Sequence, residues 1–178
     1  MRALAIVAIM GLGLGLVTAA AADGTTLEGR METAQAAEKH ATESRDPEAF
    51  QVCGQAYVEV AKAARTERPE WVAMALYNAG VCFEHARSVT AAVAMYRQLE
   101  AELPRDPLVQ RAHARRAQLY LAIAWYAEAA KELEAYATKW AGERDASDAL
   151  ENAVRLRAAL GDDDAARRNA ERWVKLYA

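Results

Sequence analysis

After residue 23, apolar residues recur at intervals of three and four, the period of a helix with one buried stripe. Nowhere do they alternate for long enough to make a strand. The rhythm breaks at "ESRDPE" (43–48), "RTERPE" (65–70), Ser88, "PRDP" (104–107), "GERD" (142–145) and "GDDD" (161–164). These breaks carry Pro, Gly or the acidic chemistry of a helix start. Between them the pattern predicts helices at roughly 26–44, 47–66, 69–87, 89–103, 107–124, 126–141, 145–160 and 163–177. Asp46 before Pro47, and Asp106 before Pro107, each suit an N-cap followed by Pro in the first turn. Gly161 suits a C-cap, and Asp162 to Asp164 suit a helix start, where the dipole favours negative charge. Connections this short force neighbouring helices to be antiparallel. The expected fold class is all-α, a row of antiparallel helical hairpins.

The hairpins repeat. Gly80, Phe83, Ala92, Tyr96 and Pro104 are separated by 3, 9, 4 and 8 residues. Ala117, Tyr120, Ala129 and Leu133 repeat the first three gaps after a shift of 37. Ala153, Leu156 and Ala165 repeat two of them after a further 36. A small residue in one helix lets a small residue in the next approach, and the large residues fill the space beside them. Gly80 costs a helix about 1 kcal/mol against Ala, so it reads as a packing residue that admits Ala92. One such hairpin cannot bury its apolar face alone, so the next stacks on it.

This spacing resembles the tetratricopeptide (TPR) repeat, with HEAT-like repeats, whose period is nearer 40, as the rival. Leu76 stands where that family usually has Trp, and Ala79 where it usually has Leu. The resemblance implies an α-solenoid, a right-handed superhelix, with a leading hairpin at 26–66 and repeats at about 69–104, 107–141 and 145–177. It also implies a protein-binding groove along the first helix of each hairpin. The family's groove spacing carries over to Tyr77, Val81, Glu84 and His85, then Arg111, Gln118 and Leu121, then Leu150, Val154 and Arg157. The Lys/Asn set with which some members clamp a peptide carboxylate is absent, since Tyr77 and Val81 occupy key places. The expected ligand is an extended or helical segment of a protein partner. The stretches "LYNAGVCFEHARSVTAAVAMY", "AWYAEAAKELEAYATKWAGERDASDAL" and "LGDDDAA" are similar to exported TPR proteins of myxobacteria, including gliding-motility envelope components. That narrower resemblance implies a scaffold that holds other envelope proteins.

The first residues follow a different pattern. Arg2 precedes the apolar run Ala3 to Val17, and Ala20 and Ala22 form a small-x-small site before Asp23. This is the pattern of a secretory signal peptide over residues 1–22. The apolar run is shorter than the ~20 residues that span a bilayer. No Cys follows it to take a lipid. The expected mature chain, 23–178, is periplasmic or secreted, with no membrane span.

Composition narrows the rest. The 178-residue chain suits one domain. It is dominated by Ala, with only 9 Gly and 4 Pro, which favours helix. A net charge of −3 and no long basic run argue against nucleic acid as a partner. An oligomer remains open, as does a longer array, because "WVKLYA" leaves an amphipathic helix without a polar cap.

Asn78, Cys82 and His85, four and three residues apart, share one helical stripe and could serve a cysteine nucleophile. Against this, Cys82 lies near a helix C-terminus, which disfavours a thiolate, and His85 suits that end as a cation. Cys53 and Cys82 also lie equally far from the turn near residues 67 and 68, so an antiparallel hairpin puts them at the same height. A disulfide is expected between them in an oxidising compartment, with two buried thiols as the alternative. His40, His85 and His113 have no metal-ligand spacing, "GLGLG" (11–15) lies inside the leader, and "GDDD" reads as capping. "RRNAERWVK" (167–175) reads as a solvated face. No cofactor or metal is expected, and the favoured function is a non-catalytic interaction scaffold.

Overall fold

Alanine supports these helices twice over, through its helix propensity and through a side chain small enough for close helix packing. The computed structural model describes residues 26–178, so the leader expected at 1–22 lies outside the described residues. Its helices are α1 (Leu27–Ser44), α2 (Pro47–Glu67), α3 (Val72–His85), α4 (Val89–Glu102), α5 (Pro107–Ala122), α6 (Tyr126–Lys139), α7 (Ala146–Ala159) and α8 (Asp163–Tyr177). A 3₁₀ turn, Pro69–Trp71, leads into α3. The capping chemistry is local. Thr26 accepts from the Gly29 amide, Asp46 from Glu48, Asp106 from Leu108 and Asp162 from Ala165. Each helix packs on the helices before and after it, and α5 also reaches back to α3. That nearest-neighbour pattern is an all-α solenoid.

Three of the turns inside hairpins are built alike. Arg87, Ala124 and Gly161 adopt positive φ, at 59°, 59° and 74°. The amides that follow them, of Ser88, Trp125 and Asp162, donate to the carbonyls of Phe83, Tyr120 and Arg157 at 2.8–2.9 Å. This is the Schellman closure, which satisfies a helix-end carbonyl through one left-handed residue. The positions are 37 residues apart both times, which corrects the register of the third repeat. Val154, Arg157 and Ala166 occupy the places of Ala117, Tyr120 and Ala129, one residue on from Ala153, Leu156 and Ala165. Ala is so frequent that two adjacent frames fit the pattern equally well.

The core runs along the seams between hairpins. Phe83, Ala92, Tyr96, Ala117, Tyr120, Ala129, Ala153 and Ala165 are buried, while Leu133 and Leu156 are partly buried. A second correction concerns Gly80. A Cβ there would lie within 3.0 Å of the Tyr96 ring, so Gly80 makes room for Tyr96, with Ala92 buried on the same helix as that ring. Gly54 on α2 does the same for the ring of Phe83. Beside it, Cys53 and Cys82 are joined by a disulfide with Cα atoms 5.8 Å apart, and both are buried. The bridge ties α2 to α3.

Candidate protein-binding groove

The first helices α3, α5 and α7 carry the expected groove residues, and the structure divides them. Between α3 and α5 the surface is closed by a polar joint. Arg115 donates through Nε to the Tyr77 hydroxyl at 2.9 Å and through Nη1 to Glu84 at 2.6 Å. Its guanidinium lies 5.7 Å from the centre of the Tyr77 ring. Glu84 also accepts from the Tyr96 hydroxyl at 2.7 Å. Burial, and then the Glu84 charge, push the Tyr96 hydroxyl well above its ordinary pKa. Burial works against the Arg115 cation, but the Tyr77 hydrogen bond and the Glu84 charge outweigh it and raise its pKa. Tyr77 and Glu84 therefore hold two repeats together through Arg115.

Between α5, α6 and α7 the surface opens into a cleft of about 290 Å³. Ala114, Ala117, Leu121 and Leu133 give it apolar walls, and Gln118, Asn152 and Asp148 bring polar groups to it. Asp145 also lines it and accepts from the Tyr136 hydroxyl at 2.7 Å. Of the expected groove residues, this cleft gathers Gln118 and Leu121. Arg111 is exposed on α5 outside the cleft lining. Val81 is half-buried on α3, and Val154 faces a separate hollow beside Trp173 and Val174. Leu150 is fully buried, which corrects its placement in the groove. Arg157 is also withdrawn. Its guanidinium grips Glu134 through Nε at 2.7 Å and Nη2 at 2.9 Å, and reaches Asp162 at 3.3 Å.

His113, part of the cleft lining, belongs to a buried charge cluster that has no mark in the sequence beyond one His–Arg spacing. His113 and Arg116 sit one turn apart on α5, with 4% and 2% of their surface exposed. Glu100 of α4 lies 2.8 Å from His113 and 3.0 Å from Arg116. Glu132 of α6 lies 3.0 Å and 2.7 Å from the same pair. Lys139 adds a 3.2 Å contact to Glu100. Burial alone would raise the Glu100 carboxyl, but hydrogen bonds from His113 and Arg116 hold it down at about 2. Burial also pushes Glu132 up, but His113 and Arg116 outweigh it and hold the group below its ordinary pKa. The only sequence signal was a His and an Arg at i, i+3, which reads equally well as an exposed pair.

The stripe of Asn78, Cys82 and His85 does not assemble. Cys82 is in the disulfide, so it has no thiol to ionise. The Asn78 amide points back to the sulfur of Met74 at 3.4 Å. His85 is exposed and stacks on Phe50, with ring centres 4.8 Å apart. Among the described residues no helix is long and apolar enough to cross a membrane.

The architecture defines a class, a TPR-like solenoid of helical hairpins. Two solved structures are similar to it, both of a putative kinesin light chain from Podosopora anserina with nearly identical TPR-like repeats. One is a glutamine-to-methionine variant, with 16% identity and a TM-score of 0.54, and the other has 17% identity and a TM-score of 0.56. In each case the match covers 89% of this chain and 78% of that one. At this identity the likeness speaks for the fold. No family model matches the chain, and no curated protein matches it.

Proposed function

We propose that this chain is an exported interaction scaffold that holds a segment of a partner protein in the cleft between α5, α6 and α7, without catalysis. The cleft itself carries the reading. Its walls are apolar, so a partner side chain gains by leaving water there. Gln118 and Asn152 each carry a donor and an acceptor, which suits a peptide backbone. The TPR-like stack supports protein partners as the class. Export is supported by the leader pattern at 1–22 and by a disulfide of the kind that persists in oxidising compartments. The resemblance to exported myxobacterial TPR proteins supports a role in envelope or motility assembly.

The test is photo-crosslinking in intact producing cells. A photoreactive residue at Gln118 is compared with one at Lys39, exposed on α1. The reading expects a discrete adduct from position 118 and none from position 39, on a chain beginning near Asp23. Adducts of equal yield from both positions, or none from either, overturn the scaffold reading. A full-length chain retained in the cytoplasm overturns the export part alone.

A further inference from the structure

The three equivalent turns differ at the residue that opens the second helix. Ser88, Trp125 and Asp162 stand in register as N-caps of α4, α6 and α8. Asp162 caps its helix, and Ser88 donates to Gln51 at 2.8 Å. An indole cannot accept from the helix amides, and Trp125 caps nothing. It stacks on Tyr120 at 6.1 Å, yet 55% of its surface stays in solvent. Ile123 and Tyr126 beside it are also exposed. Ser88 makes no side-chain cap either, so what sets the middle turn apart is its exposed Trp, a residue type enriched at binding hot spots.

Trp125 lines a hollow of about 380 Å³ formed by residues of α4, Tyr120 of α5 and the α5–α6 turn. Val89, Val93, Ala94 and Ile123 give it apolar walls. Its one charged residue is Arg97. The Arg97 guanidinium donates to the Tyr120 hydroxyl at 3.1 Å and, among the described residues, pairs with no carboxylate. That contrasts with Arg115, Arg116 and Arg157, each of which is matched to a Glu. The hollow therefore combines apolar walls, a half-exposed indole and one unneutralised cation with donors to spare.

We propose that this edge is a docking surface distinct from the cleft, and that its occupant is a segment of a protein partner carrying a large apolar side chain next to a carboxylate. The apolar side chain fills the hollow beside Trp125. The carboxylate pairs with Arg97, which also sets the partner's polarity: a basic segment leaves Arg97 facing a like charge. This inference stands apart from the cleft reading, because the two surfaces share no lining residue.

The experiment uses the full chain and three labelled peptides, each with a central Leu-Phe pair flanked by Glu, by Gln or by Lys. Fluorescence polarisation reads their binding. The Glu-flanked peptide is expected to bind about ten-fold more tightly than the Gln-flanked one, and the Lys-flanked one not measurably. Trp125→Ser places at this turn the residue that stands at position 88, and weakens the Glu-flanked peptide about ten-fold or more. Arg97→Gln abolishes the difference between the Glu- and Gln-flanked peptides. Lys39→Gln, exposed on α1 and outside both linings, changes neither. Equal affinity across the three peptides, no saturation up to about 1 mM, or unchanged binding by both variants overturns the proposal. So does binding of the chain to neutral phosphatidylcholine vesicles that Trp125→Ser removes, since that makes the edge a membrane contact.

Discussion

The Tyr96 ring fills the space where a side chain at Gly80 would stand, and the Tyr96 hydroxyl returns to Glu84 one helical turn further along α3. Glycine, aromatic ring and acceptor form one unit joining α3 to α4. Tyr96 is fully buried, so a methyl group at Gly80 can be accommodated only by moving the ring off Glu84. Overpacking of this kind costs about 1–3 kcal/mol, and the better helix propensity of Ala returns less than ~1. Gly80→Ala should therefore lower stability in urea unfolding by about 1–2 kcal/mol. Gly142→Ala, where a Cβ meets nothing within 4 Å, should be close to neutral. Equal effects at the two sites would remove the packing role of Gly80.

The bridge between Cys53 and Cys82 spans 29 residues of sequence. Closing a loop of that length removes unfolded-chain entropy equivalent to about 3–4 kcal/mol. Reduction should lower the unfolding midpoint of the intact chain accordingly. The double variant Cys53→Ala, Cys82→Ala should be insensitive to reductant. Intact mass without reductant should be two hydrogens below the reduced value, and two alkylatable thiols in the native protein would refute the bridge.

Most of the helices, and the bridge, were legible because they carry a local mark. Asp-Pro pairs and a Gly before a run of Asp locate helix starts, and two Cys equally far from one turn locate a staple. Residue contacts across repeats were not legible. Tyr77 and Glu84 do sit on the first helix of their hairpin, but nothing near them in sequence announces that Arg115 will close over both. Nor does Arg116 look buried until α4 and α6 pack on either side of α5. Trp125 fell at a break in the pattern, where an exposed indole looks like any other linker residue.

Stability should fall with acid through Glu100. Its folded pKa, about 2, lies below the ordinary value of 4.5, so the ionised form is favoured by folding. The contribution is fully present above about pH 4.5 and is lost as pH falls towards 2. Glu132, also lowered, adds in the same direction. Glu100→Gln should be less stable than the parent at pH 7, with the difference shrinking as pH falls below about 4. Urea midpoints at about pH 7, 5, 4 and 3 provide the comparison. A difference that stays constant over that range would show that His113 and Arg116 do not hold the carboxylate.

The Arg157–Glu134 pair tests whether the array transmits damage only to neighbours. Arg157 stands in the third repeat where Phe83 and Tyr120 stand in the first two, so a charged fork replaces an aromatic ring. Glu134 accepts from it twice and also from Asn169 at 2.7 Å, which joins α6, α7 and α8 through one carboxylate. Burial would raise the Glu134 carboxyl, but the Arg157 and Asn169 hydrogen bonds overcome it and hold the group below its ordinary pKa. Arg157→Ala leaves that carboxylate short of its partner, at a cost of about 1–3 kcal/mol. In a solenoid the loss should stay local. Hydrogen exchange should accelerate along α7 and α8, while protection in α2 and α3, across the disulfide, remains at the parent level. Uniform acceleration from α1 to α8 would mean that the chain unfolds as one unit and that its stability is not the sum of repeat and interface contributions.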